Sequence, residues 1–117
     1  MNYLVLLYRD EQKYFARSDE DRQRTAENHR PYIEMLKAKG NYGASARLVA
    51  ASSATTLRNV DGKVVSTDGP FAEAREQLGG FYLIEAADLD EAVRLVREMP
   101  GLQHLPAAEI RPLMPAI

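Results

Sequence analysis

The segment STDGPFAEAREQLGGFYLIEA, residues 66–86, contains the strand from which the rest of the fold can be built. Its last eight residues, GGFYLIEA (79–86), are apolar on both faces of an extended chain, which indicates a strand buried inside a sheet. The run YLVLLY (3–8) has the same character and predicts a second central strand. Two such strands need cover on both faces of their sheet.

The corner before this strand, Asp68-Gly69-Pro70-Phe71, predicts a rigid turn. Pro70 fixes its own φ, and Gly69 tolerates an unusual backbone. We expect Phe71 to anchor the turn in the core and the Asp68 carboxylate to accept N–H groups of the turn. Pro70 also favours the start of a short helix over residues 70–77.

The other elements follow from apolar periodicity and from cap and turn residues. The predicted elements are a strand over 3–8, a helix from Ser18 towards Lys39, a strand over 42–49, a hairpin turning at Asp61-Gly62, a strand over 79–86, a helix from Asp88 to Pro100, and a strand over 109–113. This order predicts an α+β fold with a ferredoxin-like βαββαβ plan and an inserted hairpin. We expect residues 1–117 to form a single domain. Two helices cover one sheet face only, so we expect a homodimer through the open face.

Composition excludes several classes of function. The chain has no cysteine and only two histidines, His29 and His104, too few for an all-histidine zinc site, and we predict no cofactor. A net charge of −2 without a basic stripe argues against nucleic acid as a partner. From the first ten residues we expect no signal peptide, and no apolar run is long enough to span a membrane. A soluble cytoplasmic protein is therefore expected.

His29 is the candidate with the most specific placement. Ala26, His29, Ile33 and Leu36 form one stripe on the first long helix, so His29 is expected on the face that packs on the sheet. Pro31 predicts a kink, a bulge or a restart of the helix nearby. A core histidine with one satisfied ring nitrogen is the alternative interpretation.

Residues 67–92, TDGPFAEAREQLGGFYLIEAADLDEA, resemble the signature of the DGPF branch of the YCII-related family. The resemblance implies a ferredoxin-like dimeric α+β barrel and a site with a characteristic His and Asp. His29, in HRPYIEMLKAKG, and Asp68 occupy the matching positions here. One branch resembles dehydrochlorinases of chlorinated hydroxyquinols, whereas DGPF members also occur beside or fused to alternative sigma factors.

Two functions from different classes follow. The first is a small-molecule enzyme that transfers protons through a catalytic pair, His29 and Asp68. The second is a non-catalytic dimeric module, which senses a ligand or serves a sigma factor. Arg47, on the second strand, can bind a substrate carboxylate, but pairing with an acid at an interface is the preferred interpretation. His104 is expected in a loop, at the surface or in a dimer contact.

Overall fold

The computed structural model describes residues 1–116. Alternating strands and helices make up most of this length. Their bounds are β1 Asn2–Asp10, α1 Glu11–Ala16, α2 Asp19–Ala38, β2 Tyr42–Arg47, β3 Thr55–Val60, β4 Lys63–Asp68, β5 Glu76–Glu85, α3 Leu89–Arg97 and β6 Ala107–Pro112. Two single-turn 3₁₀ helices, Ala51–Ser53 and Leu102–His104, lie in the connections.

The strands form two separate antiparallel sheets. The larger sheet has the strand order β2-β5-β1-β6, and β3 pairs with β4 alone in the smaller one. Val5 of β1 lies opposite both Tyr82 of β5 and Ile110 of β6, so the two apolar strands predicted from the sequence are indeed the central pair. The α+β prediction is confirmed.

The core lies on one face of the larger sheet. Tyr3, Val5, Tyr82 and Ile84 point to this face and are buried there because side chains alternate along a strand. They pack against residues of α2 and α3, which include Leu36, Ala92 and Val96. The Tyr32 hydroxyl of α2 donates to the Leu95 carbonyl of α3 at 2.6 Å and thereby joins the two helices.

The opposite face of the same sheet keeps partly exposed apolar side chains. Leu4, Leu6 and Leu83 alternate with the core residues, and none of them belongs to the core cluster. A contiguous apolar face is normally covered in a soluble protein. This face therefore has the properties of an interaction surface.

The β3–β4 hairpin projects from the rest of the molecule as an arm. Its turn is the predicted one, with positive φ at Asp61 (49°) and Gly62 (81°), as a two-residue hairpin turn requires. Leu57 is 69% exposed and Val64 is 67% exposed on the arm. The radius of gyration is 16.1 Å, against about 13 Å for a compact domain of this length, which is consistent with the projection.

The corner at residues 68–71 is built differently from the prediction. Gly69 has the expected positive φ, 97°, but no helix forms over residues 70–77, and β5 begins at Glu76. Phe71 is 75% exposed and does not enter the core. Arg58 of β3 holds it instead, since its guanidinium donates to the Phe71 carbonyl at 2.9 Å and lies 5.1 Å from the ring centre.

Ala54 and Thr56, at the base of the hairpin, supply the other contacts that fix this corner. The Gly69 N–H donates to the Ala54 carbonyl at 2.7 Å, and the Thr56 hydroxyl donates to the Gly69 carbonyl at 2.7 Å. Within residues 1–116 the Asp68 carboxylate accepts no hydrogen bond. The expected side-chain turn at Asp68 is therefore wrong, because β3 already satisfies the polar groups of the corner.

The two long helices begin where the cap residues predict. Ser18 accepts from the Asp21 N–H at 3.1 Å, and Asp88 accepts from the Glu91 N–H at 2.9 Å. α2 runs unbroken through Pro31, so the helix does not restart beside His29. The helices of the described chain lack the length and apolar character that a membrane span requires.

Packing of α2 on the sheet predicts the cost of truncating its most buried residue. Leu36 is 0% exposed, so Leu36→Ala should lower the free energy of unfolding by about 2–5 kcal/mol. Leu89→Ala is the matched control, since Leu89 is 51% exposed and should change stability by less than about 0.5 kcal/mol. Urea unfolding followed by circular dichroism measures both, and equal losses would contradict the packing described.

Candidate functional site

A cavity of about 310 Å³ opens between α2 and the face of the sheet that the helices cover. Its apolar wall includes Leu7, Ile33 and Leu105. His29, from the inward stripe of α2, and Tyr82, from β5, contribute polar groups. We call this cavity the His29 cleft. Its volume lies at the lower end of the range of about 300–1,000 Å³ found for small-molecule sites.

His29 and Tyr82 are joined across the cleft. Nδ1 of His29 lies 2.6 Å from the Tyr82 hydroxyl, and the two rings are stacked with centres 5.9 Å apart. A hydroxyl both donates and accepts, so this contact orients the imidazole in either neutral tautomer. Nε2 has no hydrogen-bond partner among the described residues and remains available to a ligand.

Burial and charge favour the neutral forms of both side chains. Burial, and then the positive charge of Arg47, lower the pKa of His29 from its ordinary value. Burial, and then the neighbouring phenols of Tyr32 and Tyr42, raise the pKa of Tyr82. Burial, the largest cause in each case, disfavours the charged form of a side chain. At neutral pH the site therefore contains an uncharged imidazole bonded to an uncharged phenol.

Arg9 lines the cleft as a buried cation with several hydrogen-bond partners. It is 7% exposed, and its guanidinium donates to Glu11 at 3.0 Å and to the carbonyls of Leu48 and Val49 at 3.0 and 3.2 Å. It also lies 4.4 Å from the centre of the Tyr14 ring. The acid that Arg9 pairs with, Glu11, belongs to the same chain.

Glycines of β5 give Arg9 the space that it occupies. A Cβ at Gly79 would lie 2.7 Å from Cδ of Arg9, and a Cβ at Gly80 would lie 2.8 Å from the Ala46 carbonyl oxygen. A Cβ at residue 80 would meet fixed backbone, whereas a Cβ at residue 79 would require the Arg9 side chain to move. The sheet presents no side chain of its own to the cleft at residues 79–80.

Two further arginines line the cleft and differ in their partners. Arg22 of α2 is paired with Asp19 on its own helix. Arg47, at the end of β2, is exposed at the rim, and its guanidinium makes no ion pair or hydrogen bond within residues 1–116. The pairing of Arg47 with an acid that the sequence analysis preferred is not found inside this chain.

Asp68 lies away from His29 in the single chain. It is exposed at the end of β4 and lines a second pocket with Glu11, Glu73 and Arg75, whereas the residues around His29 include none of these. The structure thus does not bring His29 and Asp68 together within one chain. Their joint catalytic role stays a prediction.

The remaining candidates have structural explanations or lie outside the cleft. His104 ends the 3₁₀ turn Leu102–His104 and does not line the His29 cleft. The Tyr42 hydroxyl is bonded to Ser45 at 2.7 Å. Residues 1–116 contain no group of three or more His, Cys, Asp or Glu side chains placed to hold a metal ion.

One residue of the site, Tyr14, and one contact, between His29 and Tyr82, could not be found from the sequence pattern. Tyr14 lies in α1, a helix that is absent from the predicted elements, although Asp10 caps it by accepting from the Lys13 N–H at 3.2 Å. The partnership of His29 with Tyr82 joins positions 53 residues apart. No local pattern signals such a contact, because it depends on how α2 lies on the sheet.

A four-stranded antiparallel sheet with a ligand-sized cleft under its first long helix defines a class of small α+β proteins. The model of the YCII-related domain matches residues 1–117, and the chain belongs to the YCII-related family. An uncharacterised protein of Rhizobium meliloti strain 1021 is 42% identical over 118 residues, which cover 97% of this chain and 92% of that protein.

A solved structure has a related fold. It is the 5-chloro-2-hydroxyhydroquinone dehydrochlorinase of Burkholderia phenoliruptrix AC1100 in complex with 2,5-dihydroxybenzoquinone. The TM-score is 0.57 and the sequence identity 18%, with 97% of this chain and 94% of that chain covered. At this identity the likeness concerns the fold.

The surroundings of His29 predict its titration. Its pKa, measured by NMR, should lie below the ordinary value of about 6.5, and Arg47→Gln should raise it because a neighbouring positive charge is removed. Arg94→Gln, on the exposed side of α3, is the control and should leave the pKa unchanged. His104→Asn assigns the NMR signal of His29 by removing the signal of the other histidine. An equal His29 pKa in the wild type and in Arg47→Gln would contradict the described effect of the Arg47 charge.

The same shift links stability to pH. The folded state disfavours the imidazolium, so the unfolded chain takes up the proton first as the pH falls below about 6.5. The contribution of neutral His29 to stability is therefore full above that pH and is lost as the pH falls towards the lower folded pKa.

Proposed function

We propose that this protein is a small-molecule enzyme that transfers a proton through His29 in the cleft between α2 and the sheet. The observation that supports this best is the 2.6 Å contact between Nδ1 of His29 and the Tyr82 hydroxyl. This contact orients the ring inside a partly apolar cavity and leaves Nε2 free. A general base needs both properties, an oriented ring and an unoccupied nitrogen.

The proposed step uses the tautomer in which Nδ1–H donates to the Tyr82 oxygen. Nε2 then takes a proton from an O–H or C–H of the substrate, and the imidazolium formed keeps its Nδ1–H bond to Tyr82. Return of the proton to another substrate atom completes a tautomerisation. In an elimination, the electron pair left on the substrate expels the leaving group as an anion, and Nε2 then releases its proton to solvent. Neither reaction needs an oxidant or a reductant.

The substrate class that we propose is a small phenolic or enolic ring compound, with halogenated phenolic acids as one group. The structural neighbour is a dehydrochlorinase of a chlorinated hydroxyhydroquinone and was solved with a dihydroxybenzoquinone, so a related fold accommodates such a ring. The cavity of about 310 Å³ also suits one ring with small substituents.

We propose the DGPF branch of the family for this chain, on the sequence DGPF at residues 68–71. The strand order β2-β5-β1-β6 supports a single ferredoxin-like domain with an inserted hairpin. The apolar open face supports a homodimer of the α+β barrel type, with the two sheets packed face to face. A cytoplasmic location is proposed with it.

Asp68 enters this proposal as a second catalytic residue that a single chain does not bring to His29. It lines a different pocket, so its part in the reaction requires a contact made by a second copy or by a bound substrate. Asp68→Asn tests that part separately, because the His29–Tyr82 pair should be unaffected by it.

A non-catalytic dimeric module, a ligand sensor or an accessory to a sigma factor, is the second candidate. The separation of His29 and Asp68 into different pockets favours it. In this case the cleft would bind ring compounds and leave them chemically unchanged.

The activity is tested with chlorinated and unchlorinated hydroxyquinols. Chloride release and exchange of ring C–H protons in deuterated water, followed by NMR, detect proton transfer to and from the compounds. His29→Asn should lower the rate at least ~100-fold, the size of general acid–base effects, and Tyr82→Phe should lower it less. His104→Asn makes the same substitution outside the cleft and should retain full activity.

Two results would decide against the enzyme. An unchanged rate in His29→Asn would remove His29 from the reaction. Binding of the compounds without any exchange or chloride release would favour the non-catalytic module.

The dimer is tested at the centre of the open face. Leu83 pairs with Leu4 of β1 and with Ala44 of β2, so Leu83→Lys places a charge in the middle of the proposed interface. The wild type should sediment as two chains and this variant as one. The control Leu89→Lys, on the exposed surface of α3, should remain a dimer. A wild type that sediments as a monomer would contradict the proposed dimer.

A further inference from the structure

The His29 cleft has an excess of positive charge. Arg9, Arg22 and Arg47 line it together with His29, and no Asp or Glu of the described chain does. A concave site with one sign of charge attracts ligands of the other sign. The positive charge of the site therefore favours binding of small anions over binding of neutral or cationic ligands.

Only one of the three arginines lacks an acidic partner among the described residues. Arg9 is committed to Glu11 and to two backbone carbonyls, and Arg22 is paired with Asp19. Arg47 is the cation left without an internal partner in this part of the chain. Its fork of N–H groups matches the two oxygens of a carboxylate or a single phenolate oxygen.

The floor next to Arg47 is suited to a flat ligand. Arg47 lies opposite Gly80 in the register of β2 and β5, so no side chain of β5 stands beside it at that position, whereas the Arg9 side chain covers Gly79. Ile33 of α2 and Leu7 of β1 belong to the apolar lining. A ring can thus lie against this apolar lining while its charged substituent reaches Arg47 at the rim.

We propose that Arg47 is the anion-recognition residue of the His29 cleft, which selects small planar ring compounds as their monoanions, with a carboxylate or a phenolate as the charged group. This inference rests on the proposed function only in using the same cleft. It adds the ionisation state of the ligand and the residue that selects it. Binding alone, without turnover, tests it.

Benzoate and benzamide are the first pair of probes, because they share size and shape and differ in charge. Isothermal titration of the wild-type protein should show benzoate binding at least ~10-fold more tightly than benzamide. Arg47→Gln should remove this preference and Arg47→Lys should keep part of it. Arg94→Gln, the same substitution on α3 outside the cleft, should leave it unchanged.

A coloured phenol tests whether Arg47 also recognises a phenolate. Binding of 4-nitrophenol at Arg47 should favour its coloured phenolate and lower the apparent pKa of the phenol by about one unit, the equivalent of a tenfold preference. The shift should disappear in Arg47→Gln. A response to benzoate alone would restrict the site to carboxylates, and a response to nitrophenol alone would restrict it to phenolates.

The results separate this inference from the proposed function. Equal binding of charged and neutral probes, an unchanged preference in Arg47→Gln, or no binding of any probe at millimolar concentration would overturn the role of Arg47, whatever His29 does. Retained anion selectivity with no reaction of any ring compound would overturn the enzyme and leave Arg47 as the recognition residue of a ligand sensor.

Discussion

The buried guanidinium of Arg9 is the interaction on which the cleft side of the molecule depends. Moving this cation out of water is costly unless its donors are satisfied, and they are satisfied by Glu11 and by the carbonyls of Leu48 and Val49. Those groups belong to α1 and to the segment after β2, so both must be in place before Arg9 can be buried. Gly79 completes the arrangement, because a Cβ there would collide with the Arg9 side chain.

The elements of the fold could be predicted from the sequence because local chemistry decides them. Apolar runs gave the central strands, Ser18 and Asp88 gave the helix starts, and Asp61-Gly62 gave the hairpin turn. The corner at residues 68–71 shows the limit of this reasoning. Its backbone was predicted correctly at Gly69, but the position of Phe71 was not, since Arg58 and Thr56 of a neighbouring strand bind the corner from outside.

The site could be predicted only in part for the same reason. The helical stripe placed His29 against the sheet, which is where it lies. Which residue it meets depends on the register of β5, and that register shifts between Leu7 and Tyr8 of β1. A sequence pattern with a period of two or 3.6 residues carries no information about such a shift, so neither the contact with Tyr82 nor the place of residues 79–80 in the cleft could be derived.

The separation of His29 from Asp68 changes how the charge of the site has to be understood. A carboxylate beside an imidazole would stabilise its protonated form, but the described lining of the cleft contains none, and burial together with the charge of Arg47 disfavours protonation. The resting site therefore lacks the negative charge that an imidazolium intermediate needs. That charge has to arrive with the ligand or with a second chain. A ligand that brings a negative charge would bind more tightly and would also stabilise the imidazolium form of His29. Binding of the ligand and proton transfer to His29 would then depend on the same charge.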